Sequence, residues 1–148
     1  MNEDVYRLLY CSRNTMTGSL EEQQLAITQI LAKSRTNNSA NGITGALLFN
    51  SGFFAQVLEG PLPKVEQTFE RIQRDMRHDE ISVLECTVVP SRDFPEWSMA
   101  FAGGGESGAG SFADMSIAKA MVNQSTAAAQ ISELLRALVV QEDDYATV

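Results

Sequence analysis

The sequence is short of the residues that most protein chemistry needs. It has one histidine and two cysteines. Those cysteines, Cys11 and Cys86, stand alone in separate apolar runs, so they build neither a disulfide framework nor a CxxC redox pair. Both read as reduced core thiols. A zinc or iron site asks for more ligands than His78 and two isolated thiols supply. HExxH, GxSxG and P-loop patterns are missing, which removes the common hydrolytic arrangements; a carboxylate pair stays open, but nothing marks a particular pair. Basic residues are also scarce. Eleven Lys and Arg against 19 Asp and Glu leave a formal charge of −8, which repels polyanions and argues against nucleic acid as a partner. No apolar run approaches the roughly 18 residues of a membrane span, and "MNEDVYRLLY" is acidic ahead of its short apolar stretch. The expectation is a cytoplasmic chain without membrane contact.

What is present suits one core. A chain of 148 residues with 44% hydrophobic content buries roughly 70% of its unfolded surface. "VYRLLYCS" is apolar on both alternating faces and reads as a buried strand. Ser19 and Glu22 make a capping box, and Ile27, Ile30 and Leu31 carry a helical stripe to about Asn37. "GITGALLFN" and "GFFAQVLE" form a hairpin about Asn50, Ser51 and Gly52. Pro61 and Pro63 open a second helix, with Val65, Phe69, Ile72 and Met76 as its apolar stripe. "ISVLECTVV" and "FPEWSMAFA" supply two more strands. The order predicts an α+β fold, a ferredoxin-like β-α-β-β-α-β-β sheet with two helices on one face. The other face is also apolar and needs a cover. Phe112, Met115 and Ala118, then Ile131, Leu134, Leu135 and Leu138, offer a C-terminal helical cap beyond the linker "AGGGESGAGS". Gly103, Gly105 and Gly108 in that linker mimic a dinucleotide fingerprint, but too little chain follows to complete the βαβ unit.

The polar residues set among these apolar elements carry more information. Gln56 shares a strand face with Phe54 and Leu58, and a buried unpaired amide costs about 1–3 kcal/mol. In the ferredoxin-like order the first and third strands are neighbours, so Tyr10 can partner Gln56. Arg71, Asp75 and His78 recur at i, i+4, i+7 as a polar stripe of the second helix, opposite Ile27, Ile30, Ser34 and Asn37 of the first. A groove between them has apolar walls, amides at one end and cationic groups at its side, which suits a flat heteroaromatic ligand with polar edges. The same residues also fit a Tyr–Gln bond that locks the core and a solvated helix face.

"YRLLYCS", "NNSANGITGALLF", "FFAQVLEG", "RIQRDMRH" and "FPEWSMAF", in that order, resemble the BLUF family, sensors of blue light using flavin adenine dinucleotide. The resemblance covers about residues 5–102 and divides the chain into a photosensor domain, 1–102, and a linker with a helical extension, 103–148. It implies noncovalent FAD between the two helices. Asn38, with Asn37, would bond the polar edge of the ring. Arg71, Asp75, Arg77 and His78 would serve the pyrimidine side and ribityl chain, and Ile30, Phe54 and Ile72 would be apolar walls; Ser34, from the facing stripe of the first helix, is counted among the cofactor-binding residues. Tyr10 would be the light-driven electron and proton donor, with Gln56 between it and the flavin, and Trp97 or Met99 would carry the change into the last strand. The product would be a reversible red-shifted state, passed without enzymatic turnover to a separate downstream protein. A homo-oligomer is also expected, because unburied apolar surface invites association. Two other classes fit the bare pattern: a small acylphosphatase-like hydrolase, and a ferredoxin-like ligand-binding module without photochemistry.

Overall fold

The computed structural model describes residues 4–49, 52–95 and 100–103. Along them run β1 (Val5–Asn14), α1 (Leu20–Asn41), β2 (Thr44–Phe49), β3 (Phe53–Gly60), α2 (Leu62–Gln73), β4 (His78–Val89) and β5 (Ala100–Gly103). The sheet order is β4-β1-β3-β2-β5. β1 pairs antiparallel with both β3 and β4, β2 and β3 form the antiparallel hairpin pair, and β5 lies parallel to β2. This is the ferredoxin-like arrangement with one added strand. Trp97, Met99 and the cap assigned to 103–148 fall outside the described residues, except for the backbone of Gly103.

Local chemistry explains where the elements start and stop. Ser19 caps α1 by accepting from the Glu22 N–H, and the Glu22 carboxylate answers to the Ser19 N–H, completing the capping box. Gly42 ends the helix in the left-handed region at φ 68°, where its N–H bonds the Asn38 carbonyl. The helix therefore runs to Asn41, four residues past the end read from the sequence. Asn37 and Asn38 lie within its last turns. Pro63 sits in the first turn of α2, where a missing N–H costs nothing. Gly45 is demanded by a close approach, since a Cβ there would stand 2.0 Å from the Val57 carbonyl oxygen of β3.

Strand alternation divides the buried residues into two faces. Leu8, Tyr10, Leu47, Phe49, Phe54 and Leu58 pack with Ile27 and Leu31 of α1 and Val65 of α2 in one cluster. Each large apolar side chain buried there contributes about 1.5–3 kcal/mol in transfer energy. Leu9, Cys11, Leu48 and Val57 point the other way and are equally buried.

At the edge and end of the sheet two expectations fail. α2 stops at Gln73, so Met76 is not on its apolar stripe and is 91% exposed. Cys86 is an exposed thiol rather than a core one, because β4 is an outer strand whose side chains Val83 and Val88 are exposed as well.

On the face away from α1 and α2, the fully buried Glu59 carboxylate ties down the segment after β4. It accepts from Arg7 Nε (3.1 Å) and from the backbone N–H groups of Asp93 and Phe94 (both 2.9 Å). Arg7 also reaches the Asp93 carboxylate at 2.8 Å. Arg92 bonds Thr44 Oγ1 (2.8 Å) and the carbonyls of Glu59 (3.0 Å) and Gly42 (2.8 Å). Residues 92–94 are thereby fastened to β3 and to the end of α1 at once.

Candidate functional site

Between α1, α2 and the sheet lies a half-open cleft of about 160 Å³. α1 contributes Ile30, Lys33, Ser34, Asn37 and Asn38; β3 contributes Phe54 and Gln56; Tyr10 comes from β1 and Leu47 from β2. Thr68, Arg71 and Ile72 of α2, with Asp75, Arg77 and His78 beyond it, complete the lining. Every cofactor-site residue expected from the sequence is here.

Register brings the central pair together. Tyr10 and Gln56 are direct partners in the β1–β3 ladder, and the Tyr10 hydroxyl donates to Gln56 Oε1. Both side chains are buried. Burial, then the Asp75 carboxylate and the Cys11 thiol, raise the Tyr10 pKa well above its ordinary 10.0. The phenol thus holds its proton across the usual pH range. Cys11, on the opposite face, is pushed up to about 12 by burial.

The polar stripe assigned to the second helix is built differently from that expectation. Arg71 is helical, but Asp75 follows the helix and His78 is the first residue of β4. The chain turns after Arg74 and delivers all three to one wall. Asp75 receives Arg77 Nε (2.8 Å), Arg77 Nη2 and the Arg77 backbone N–H (3.0 Å). The Arg77 side-chain bonds hold the Asp75 carboxyl below the usual carboxylate range against the opposing effect of burial. His78 Nε2 lies 2.7 Å from the Ile72 carbonyl, which can only accept, so that nitrogen carries a hydrogen. Nδ1, on the other side of the ring, lies 2.6 Å from Ser12 Oγ. A register shift between Cys11 and Arg13 sits beside this contact. The imidazole stands edge-on to Phe54 and Tyr10, with centroids 5.9 and 6.1 Å apart.

Lys33, Leu47, Thr68 and Ser12 belong to this neighbourhood and were missed in the sequence. Spacing held a signal for three of them. Lys33 is four residues before Asn37, Thr68 three before Arg71, and Ser12 two after Tyr10.

The lining has the chemistry of a flat ligand with one apolar and one polar end. Ile30, Leu47, Phe54 and Ile72 offer apolar contact, and the Asn38 and Gln56 amides offer both a donor and an acceptor. A flavin ring, with its hydrocarbon end and its pyrimidine edge of alternating donors and acceptors, fits that donor set. No group of three or more His, Cys, Asp or Glu among the described residues is placed to hold a metal. No helix among them is long and apolar enough to cross a membrane.

Residues 5–100 match the family model described as BLUF, sensors of blue-light using FAD. The chain superposes on BlrB, a BLUF protein in its dark state, with a TM-score of 0.76 and 28% identity, covering 93% of this chain and 98% of that one. It is 32% identical over 93 residues to the photoactivated adenylate cyclase subunit beta of Euglena gracilis, covering 62% of this chain and 10% of that protein. It is 34% identical over 79 residues to the blue light- and temperature-regulated antirepressor BluF of Escherichia coli, covering 53% of this chain and 20% of that protein. The match therefore spans only a tenth to a fifth of those relatives' length.

Proposed function

The chain belongs to the BLUF family of flavin-using blue-light sensors, and we propose that it is a photoreceptor that binds FAD noncovalently and signals through the Tyr10–Gln56 pair. The domain is a sensor and not a catalyst, which sets aside the acylphosphatase-like reading. One observation carries the proposal: a buried phenol donates to a buried carboxamide at the floor of a cleft lined by amides and apolar side chains.

The residues divide the work by chemistry. Ile30, Phe54 and Ile72 would hold the ring faces. Asn38, with Asn37 and Ser34 on the same helix, would bond the polar edge. Asp75, Arg77 and His78 would serve the pyrimidine side, and Arg71 would stand where the ribityl chain leaves the cleft. When bound, the flavin supplies a blue-absorbing chromophore that becomes a strong oxidant on excitation. Tyr10 would then give up an electron and its hydroxyl proton and take both back. Its proton already points at Gln56 Oε1, so its departure frees the amide to rearrange. A carboxamide accepts at one end and donates at the other, so turning it, or shifting its tautomer, reverses the polarity of a hydrogen bond without moving β3. A donor newly presented to a ring carbonyl lowers the excited state more than the ground state, which reddens the absorption.

Output would leave through residues 96–103. This reading is supported by the bonds from the 92–94 backbone to Glu59 of β3, the strand that carries Gln56, and by the pairing of β5 with β2, the neighbour of β3. Trp97 and Met99 within it, the extension 103–148, a homo-oligomer and a separate downstream protein complete the proposed route. The experiment is an absorption spectrum before, during and after blue illumination of the purified protein. The expected result is a structured flavin band with a small red shift that reverses in the dark. A colourless protein that takes up no flavin, or a stable bleached flavin as the lit product, would refute the reading.

A further inference from the structure

We infer that Ser12 and His78 are positioning residues for the flavin switch: with the Ile72 carbonyl they form a strut that sets the spacing between the Tyr10 strand and α2. His78 keeps its place on the pyrimidine side of the flavin reading, on which this inference rests, but acts there through the strut and not by a hydrogen bond to the ligand. Both ring nitrogens are already engaged within the protein. Nε2 bonds the Ile72 carbonyl (2.7 Å), and Nδ1 meets Ser12 Oγ (2.6 Å). An imidazole has no other polar atom, so neither nitrogen is left for a ligand, whichever member of the Ser12–His78 pair is the donor. What remains is the ring itself, edge-on to Phe54 and Tyr10.

The two ends of the strut bear on the switch directly. Ser12 is fully buried and lies two residues beyond Tyr10 on the same face of β1; in the β1–β3 ladder it opposes Phe54 as Tyr10 opposes Gln56. Ile72 lines the cleft from α2, and its carbonyl also accepts from the Asp75 N–H at 3.1 Å. One side chain thus ties the strand of the phenol to the helix end from which Asp75 departs.

The backbone is distorted to put His78 there. From Cys11 to Arg13 of β1 the β4 partner moves from Ser82 to Asp79, a bulge of one extra residue. His78 therefore pairs with Asn14, on the Tyr10 face, where an unbroken register would place Asp79. Glu80, inside the bulge, takes φ 50°, a left-handed value that is unfavourable for a residue with a Cβ. Strain that turns the imidazole inward points to a use for the ring.

His78 is the chain's one histidine, so labelling histidine with nitrogen-15 gives a single imidazole to observe by NMR. In the full chain the Nε2–H resonance should be visible, protected from exchange by its bond to Ile72, both without flavin and after loading with FAD. A resonance that appears only on loading would mean that the ligand holds the ring, and would overturn the strut. Dark recovery of the red-shifted state gives a second measurement. Ser12→Ala should leave the FAD dissociation constant within about twofold of wild type and keep the red shift, while recovery slows about three- to tenfold, because the Tyr10–Gln56 bond re-forms in a less fixed frame. His78→Ala should slow recovery by a similar factor, and the double variant no more than the larger single effect, since both residues act through one contact. Recovery unchanged or faster in Ser12→Ala, or factors that multiply in the double variant, would overturn the inference while leaving the flavin site standing. A wild-type protein that takes up no flavin would instead bring down the flavin reading, and the strut with it.

Discussion

Tyr10 and Gln56 are register partners across β1 and β3, 46 residues apart in sequence, and the phenol donates to the amide oxygen between them. The bond fixes the amide's orientation in the dark, because an oxygen that accepts from Tyr10 leaves the NH₂ group to point elsewhere. Tyr10→Phe removes one hydroxyl and no packing volume, so flavin should remain bound while the red-shifted state disappears under ordinary illumination. Gln56→Leu should do the same by deleting the two-sided amide. A wild-type red shift in either variant, recorded by difference spectroscopy, would sink the assigned roles.

The burial that sets up this pair also gives an alkaline signature. Because the folded pKa of Tyr10 lies above the unfolded value of 10.0, the folded state keeps a proton that the unfolded state loses. Its contribution to stability is complete below pH 10 and declines as the pH rises beyond it. Of the chain's three tyrosines, one should therefore resist ionisation in an ultraviolet titration until the protein unfolds. Tyr10→Phe should abolish that delayed step; a titration unchanged by the substitution would mean that Tyr10 is not the protected phenol.

Asn38 is nearly fully buried and its backbone carbonyl already receives the N–H groups of Gly42 and Ile43. Asn38→Ala leaves that helix end intact and removes only the side-chain amide. We expect flavin retention to weaken by about 1–3 kcal/mol, the cost of stranding a buried polar partner. Equilibrium dialysis that finds affinity undiminished would move Asn38 out of contact with the ligand.

Glu59 makes a different kind of demand. It is a buried carboxylate with three donors, one of them a guanidinium. Glu59→Ala leaves the Asp93 and Phe94 N–H groups without their acceptor, while Arg7 keeps the Asp93 carboxylate, and should cost about 1–3 kcal/mol of unfolding free energy for each buried group stranded. Denaturant melts check the loss. If Glu59→Ala melts like wild type, residues 92–94 are held by Arg92 and packing instead.

Truncation after Ala102 tests the proposed division of the chain. The red shift should survive, with a solubility partner supplied if the protein aggregates, while light-dependent hydrogen exchange in residues 103–148 should be seen only in the full chain. Full-length protein with no light-dependent exchange in that stretch and no change in assembly size would assign the output to another surface.

Much of this protein is written in short-range signals. The capping box at Ser19 and Glu22, the prolines at the start of α2 and the alternation in "VYRLLYCS" act over a few residues, and each appears in the structure where those forces put it. Element order then limited the topology, and with it the adjacency of Tyr10 and Gln56, because crossover handedness leaves few arrangements. Residue type and spacing also nominated Ile30, Ser34, Asn37, Gln56 and Arg71, and by a false route Asp75 and His78, whereas Asn38 and Arg77 came from the family resemblance. A periodicity of three and four persisted past the point where α2 ends, and no local residue pattern marked the turn after Arg74. Tertiary structure alone decided the rest. Ser12 meets His78 across 66 residues, and Glu59 meets the 92–94 backbone on the far face. The same apolar alternation buries Cys11 in a central strand and exposes Cys86 in an outer one. A sequence states which side chains can share a face, but whether a neighbour covers that face depends on strand position, which is settled by contacts far apart along the chain.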